Sequence, residues 1–145
     1  YEGWDIVENL ILSNKKKYLK NKFIKFHCKD ITSDKYPRSD LMICRDCFIH
    51  FSYKDIKETL SKFIESEIKY ILLSNYENFN NFENIDIITG EARIFDLFKF
   101  SFSFEKDYLD YGDDDFSAEV QKKFLLLSRD QVKINLKNFK KNLHV

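Results

Sequence analysis

The chain has 145 residues, of which 43% are hydrophobic and 33% charged, so it carries enough apolar material for one domain's core and is not a disordered chain. Its 24 basic and 24 acidic residues cancel, which argues against a dedicated nucleic-acid binder and against a polybasic membrane anchor. The first residues do not read as a secretory leader and the three cysteines are an odd number, so the expected compartment is the reducing cytoplasm with all three as thiols.

Residues 1–6 predict a strand ending in Asp5 and Ile6. A helix follows over 7–19, with Val7, Leu10, Ile11, Tyr18 and Leu19 as its apolar stripe. Lys15, Lys16 and Lys17 fall near its C-terminal end, where cations suit the helix dipole. Residues 23–28 alternate apolar and other residues and lead to Asp30, a second strand. Residues 32–39 form a loop around the only proline, Pro37. Residues 41–44 are a short apolar strand set between Asp40 and Arg45-Asp46. Ser52 and Asp55 make a capping pattern ahead of a helix with Ile56, Leu60, Phe63 and Ile64 on one face. Residues 69–74 predict a buried strand that leads to Asn75.

The second half is richer in extended segments. Residues 79–93 read as a long polar and aromatic loop. Residues 94–104 and 108–111 read as extended, with Phe95, Phe98, Phe100, Phe102 and Phe104 expected to form a core face. Residues 123–128 predict another apolar strand. Residues 130–143 predict a closing helix with Val132, Leu136, Phe139 and Leu143 on one side. A purely apolar run such as 124–127 is far short of the roughly 20 residues of a membrane span. Alternating strands and helices predict an α/β fold with a mostly parallel sheet covered by helices, and the closely spaced extended segments of the second half could pair antiparallel. No repeat or linker divides it, so residues 1–145 are expected to be one domain.

In such sheets ligands bind beyond the carboxyl ends of the strands. Three strands here end at acids, Asp5, Asp30 and Asp46. An acid in that place can accept ribose hydroxyls, and a second can hold an adenine amino group. The competing role for each is turn former or helix cap. Gly3, Gly90 and Gly112 lie too far apart for a phosphate-cradling loop. Cys44, Cys47 and His50 have the spacing of a partial metal site without a fourth ligand, so no metal is expected. Asp113, Asp114 and Asp115 are expected to form a solvated turn. His27 reads as structural and His144 as solvated.

The ordered set Tyr1-Glu-Gly-Trp-Asp-Ile, Asp30-Ile31, Asp40-Leu-Met-Ile-Cys-Arg-Asp-Cys-Phe-Ile-His50, Lys69-Tyr-Ile-Leu-Leu and Thr89-Gly-Glu-Ala-Arg93 resembles class I S-adenosylmethionine-dependent methyltransferases over residues 1–130. The resemblance implies a Rossmann-like three-layer sandwich, mostly parallel with an antiparallel C-terminal strand, and S-adenosylmethionine as cofactor. It implies that Asp5 binds the ribose hydroxyls with Ile6 against the adenine. Asp30 would hold the adenine amino group with Ile31 on the ring. Arg45 would lie at the methionine end of the cofactor. Asp46 or His50 would take the acceptor's proton, and Arg93 would help enclose the acceptor.

In that family a first strand with a Gly-rich loop precedes the second strand and lies in the middle of the sheet. The strand ending at Asp5 matches the second, so the sheet is expected to be incomplete at the N-terminus and the chain a piece of a longer protein. The methyl acceptor is a small molecule or macromolecule of unidentified class, with no membrane partner and no stably bound nucleic acid expected. The alternative is a non-catalytic Rossmann-like module that binds a nucleotide or a protein.

Overall fold

The computed structural model describes residues 1–78, 82–116 and 120–139, which fall into two units, residues 1–36 and 37–145. The side chains of residues 78, 113–116, 120 and 138 are not described.

The first unit is a strand-helix-strand. β1 (Glu2–Asp5) and β2 (Lys25–Cys28) pair in parallel, Glu2 opposite Lys25 through Asp5 opposite Cys28. Parallel neighbours need a crossover, and α1 (Glu8–Lys17) supplies it. Gly3 is fixed by packing, because a Cβ there would sit 2.8 Å from the Phe26 ring. α1 ends two residues before the predicted limit, where the Tyr18 N–H bonds the Asn14 carbonyl at 3.0 Å and the chain turns. The Trp4 and Tyr36 rings meet edge-on at 5.8 Å.

In the second unit β3 (Leu41–Cys44) leads through a single 3₁₀ turn, Phe48–His50, into α2 (Tyr53–Glu65) and β4 (Tyr70–Asn78). β5 (Asp110–Phe116) and β6 (Val120–Ser128) follow, then α3 (Arg129–Asn138). The sheet order is β3-β4-β6-β5. β3 and β4 are parallel, whereas β6 runs antiparallel to both β4 and β5. This sheet therefore has one parallel and two antiparallel pairings rather than a parallel majority. The cause is β6, which turns back from β5 and inserts beside β4.

The core is built on α2. Ile56, Leu60 and Phe63 recur at helical spacing and are fully buried, together with Ile71 and Leu73 of β4 and Val132 of α3. Each such side chain stabilises the fold by about 1.5–3 kcal/mol. α2 carries its predicted polar start, and α3 has one that was not predicted. The Ser52 hydroxyl accepts the Asp55 N–H at 3.2 Å. Ser128 and Gln131 form a reciprocal capping box.

Three expectations change. β4 continues to Asn78 and β6 starts at Val120, because the two strands pair over their whole length, Tyr70 opposite Ser128 to Asn78 opposite Val120. The run Asp113–Asp115 is not a turn but part of β5, with an irregularity in register between Asp113 and Asp115. Residues 94–104 form an irregular segment with turns and a bend over 97–102 rather than a strand, with Ser101 at φ 83° and Ser103 at φ 50°. Phe95, Phe102 and Phe104 are buried while Phe100 is 60% exposed, so the phenylalanines do not share one face. Polar side chains replace ladder bonds there: Asn75 Oδ1 accepts the Leu97 N–H at 2.7 Å and Asn84 Oδ1 the Asp96 N–H at 2.8 Å. Leu143 and His144 lie outside the described residues. No described helix is long and apolar enough to cross a membrane.

Candidate active site

In the second unit the polar side chains gather past the carboxyl end of β3. Cys44 is the last, buried residue of that strand, and the chain then turns at Asp46 with φ 51°. Left-handed backbone costs a non-glycine residue on the order of 1–3 kcal/mol. Asp and Asn bear it best, because their short polar side chains bond locally. Here three hydrogen bonds offset the strain. The Asp46 N–H donates to Ser74 Oγ at 3.0 Å. Its Oδ1 accepts from the Tyr76 hydroxyl at 2.8 Å, and Oδ2 accepts from Lys122 Nζ at 2.7 Å. The strand register explains the meeting, since Tyr76 of β4 stands directly opposite Lys122 of β6. Arg45 is exposed, its Nε 3.8 Å from Asp46 Oδ2 and its guanidinium 5.7 Å from the Phe124 ring centre.

Partial burial by itself would raise the Asp46 pKa, but hydrogen bonds from Lys122, Tyr76 and Ser74 outweigh it and hold the carboxyl below its ordinary value. Both oxygens are engaged. That geometry suits a fixed negative charge that orients Tyr76 and Lys122, and it makes Asp46 a weak proton acceptor at neutral pH.

His50 is different. It closes the 3₁₀ turn, is exposed, and its Nδ1 lies 2.9 Å from the Glu91 carbonyl. A carbonyl only accepts, so neutral His50 carries its proton on Nδ1 and keeps a lone pair on Nε2. Of the two predicted bases, His50 has the arrangement of one.

The Thr-Gly-x-x-Arg element braces this region. The Thr89 hydroxyl accepts the Ser52 N–H at 2.9 Å and donates to Asp55. Gly90 has φ 105°, a conformation that favours glycine, and its N–H bonds the His50 carbonyl at 2.9 Å. Arg93 was expected to face the acceptor. It is instead only 8% exposed. It donates to the carbonyls of Ile85 (3.0 Å), Phe48 (2.8 Å) and Phe51 (2.9 Å). Its guanidinium lies 5.2 Å from the Phe95 ring centre and 5.5 Å from that of Tyr53. Burial lowers its pKa despite the opposing fields of Tyr53 and Asp86. Arg93 holds the chain on both sides of His50.

Cys44 and Cys47 hydrogen-bond each other, and that contact together with burial pushes the Cys44 thiol well up. Among the described residues no group of three or more His, Cys, Asp or Glu side chains is placed to hold a metal ion. Two features escaped the sequence. Lys122 was outside the predicted strand, and only its position opposite Tyr76 brings it to Asp46. Glu77, in the unpredicted end of β4, binds Lys123 at 2.7 Å and also Lys106. An earlier start to the 123–128 strand was the available signal for both.

In the first unit Asp5 ends β1. Its Oδ1 accepts the Val7 N–H at 2.8 Å, a turn former's bond that leads the chain into α1, whose N-cap Val7 carries no side-chain capping bond. Its Oδ2 has no partner among the described residues. Ile6 is 70% exposed. Asp30 Oδ1 accepts both the N–H and the hydroxyl of Thr32 at 2.8 Å each, a turn former's pattern. Ile31 is half-buried and its carbonyl accepts the Tyr36 hydroxyl at 2.7 Å.

Solved structures share this architecture. Magnesium protoporphyrin IX methyltransferase from Synechocystis PCC 6803, with bound S-adenosylmethionine, is 16% identical with a TM-score of 0.61, covering 88% of this chain and 58% of that one. The O-methyltransferase from a trans-AT polyketide synthase multienzyme of Brevibacillus brevis, in complex with S-adenosylhomocysteine, is 10% identical with a TM-score of 0.64, covering 94% and 63%. TehB from Haemophilus influenzae is 13% identical with a TM-score of 0.59, covering 88% and 49%. This is the class I S-adenosylmethionine-dependent methyltransferase fold. No family model and no curated protein matches the sequence. The chain spans between about half and two-thirds of these three methyltransferases' lengths.

Proposed function

We propose that this chain belongs to a cytoplasmic S-adenosylmethionine-dependent methyltransferase and carries part of its cofactor and acceptor machinery. The observation that supports it most is the shared fold with methyltransferases crystallised with S-adenosylmethionine or S-adenosylhomocysteine. The hydrogen-bond acceptors of the first unit suit the nucleoside half of that cofactor. Asp5 offers one carboxylate oxygen at the carboxyl end of a parallel strand, the place where an acid accepts ribose hydroxyls. The exposed Ile6 side chain offers an apolar face for the adenine. Asp30 and Ile31 complete the reading at the adenine edge, with Asp30 Oδ2 as the acceptor because Oδ1 serves Thr32.

When bound, S-adenosylmethionine supplies a methyl group already activated by its sulfonium, so alignment and removal of one proton are what the protein must add. In the second unit His50 Nε2 takes the acceptor's proton. Asp46 keeps Tyr76 and Lys122 in place. Arg93 serves the acceptor indirectly, by fixing the main chain on both sides of His50.

The test is thermal. S-adenosylhomocysteine at 100 times its Kd stabilises a binding protein by about 2.7 kcal/mol, a rise of several degrees in Tm. An unchanged Tm at saturating concentrations of the compound speaks for the non-catalytic module instead. A His50→Ala variant keeps that rise and loses turnover once an acceptor is in hand; loss of both in parallel makes His50 structural.

A further inference from the structure

The neutral total charge conceals a concentrated patch in the first unit. From Asn9 to Lys29 there is no acidic residue, and residues 15–25 hold six lysines. None of those six is in an ion pair among the described residues. Between them stand two large apolar side chains left in water, Leu19 at 82% exposure and Phe23 at 74%. Residues 16–23 line an open concavity at the end of α1. The segment is preformed. The Asn21 N–H bonds the Tyr18 carbonyl at 2.9 Å, the Phe23 N–H bonds Asn21 Oδ1 at 3.1 Å, and the Ile24 N–H bonds the Asn21 carbonyl at 3.1 Å.

We propose that this basic, apolar-tipped turn docks the protein on an anionic lipid surface, with Leu19 and Phe23 entering the headgroup region and the lysines meeting lipid phosphates and carboxylates. Charge complementarity selects the occupant, since clustered lysines with protruding apolar side chains suit a negatively charged bilayer. RNA is the other polyanion with such needs, and the ring geometry disfavours it. Lys22 Nζ lies 5.4 Å from the Phe23 ring centre and Lys17 Nζ 5.2 Å from that of Tyr18. Tyr18 is also packed on Phe26 at 5.6 Å. Tyr18 is therefore committed to the protein and Leu19 cannot stack, which leaves Phe23 as a single exposed ring rather than the row of aromatic faces that successive bases need. The balance of whole-chain charge that argued against a membrane partner averages over this surface. The inference is independent of the methyltransferase reading.

Sedimentation of the full natural chain with vesicles tests it. The probes are phosphatidylcholine vesicles with and without about 30% phosphatidylserine, at ionic strengths from about 0.1 to 0.5 M. Expected is binding to the anionic vesicles only, weakened by salt. Lys20→Glu with Lys22→Glu should lower the partition coefficient at least about tenfold. Leu19→Asp with Phe23→Asp should lower it comparably. Both pairs lie on the surface and should leave the circular dichroism and the S-adenosylhomocysteine response unchanged. Absence of binding at low salt overturns the proposal. So does binding that survives either variant, or a preference for a uridine oligonucleotide over the vesicles.

Discussion

Asp46 shows how much one residue can carry. It holds a left-handed turn, closes three hydrogen bonds and has a depressed pKa. A carboxyl with a folded pKa below its unfolded value contributes stability that is present above the unfolded value. That contribution is lost as pH falls through the folded one. Asp46→Asn keeps the turn and removes the charge. Its stability deficit relative to the parent should therefore be present at neutral pH and shrink below about pH 3.9, which urea melts at several pH values would check. Asp46→Ala should cost roughly 1–2 kcal/mol more than Asp46→Asn at every pH, since alanine bears the left-handed strain with no side-chain bond to Tyr76 or Lys122. Arg93 gives the complementary case. A lysine keeps the charge but not the planar fork that reaches three carbonyls. Arg93→Lys should lower unfolding free energy by about 1–3 kcal/mol, the cost of leaving buried carbonyls unpaired; a deficit near zero would show that the brace is not needed.

At the scale of elements, what was legible follows what local chemistry controls. β3 was read at its true limits because an apolar tetrapeptide lies between charged residues. α2 was read from Ser52 onward because its cap is written into the sequence. Ser52→Ala should cost about 1 kcal/mol, and Leu60→Ala, at a fully buried site, about 2–5 kcal/mol, both measurable by denaturant unfolding. Elements defined by a partner were not legible. Tyr76 and Glu77 belong to β4 only because Lys122 and Gln121 pair with them. Residues 94–104 have the composition of a strand, yet Asn75 and Asn84 bind their backbone and remove the need for a neighbouring strand. The acids at strand ends were correctly located, but whether each served a turn or left an oxygen free depended on atoms two residues away: Val7 for Asp5, Thr32 for Asp30. Arg93 was singled out by its motif and given the wrong setting, because a motif shows that an arginine belongs there and not whether its guanidinium meets solvent or main chain.

At the scale of the whole molecule, composition excluded much and chose little. A zero net charge is compatible with a patch of six lysines over residues 15–25 and with acid-lysine pairs at the end of β4 elsewhere. The fold came from strand order, and strand order depended on where β6 inserted. The function proposed for that fold rests on a nucleoside site whose key group is Asp5. The most direct measurement is a calorimetric titration of S-adenosylhomocysteine into the full natural chain and into its Asp5→Ala variant. The account predicts saturable binding by the parent and an affinity at least about tenfold lower for the variant, the loss of about 1.4 kcal/mol or more that charge-assisted hydrogen bonds to ribose represent. Equal affinities would contradict the assignment of Asp5, and no binding to either protein would contradict the methyltransferase reading itself.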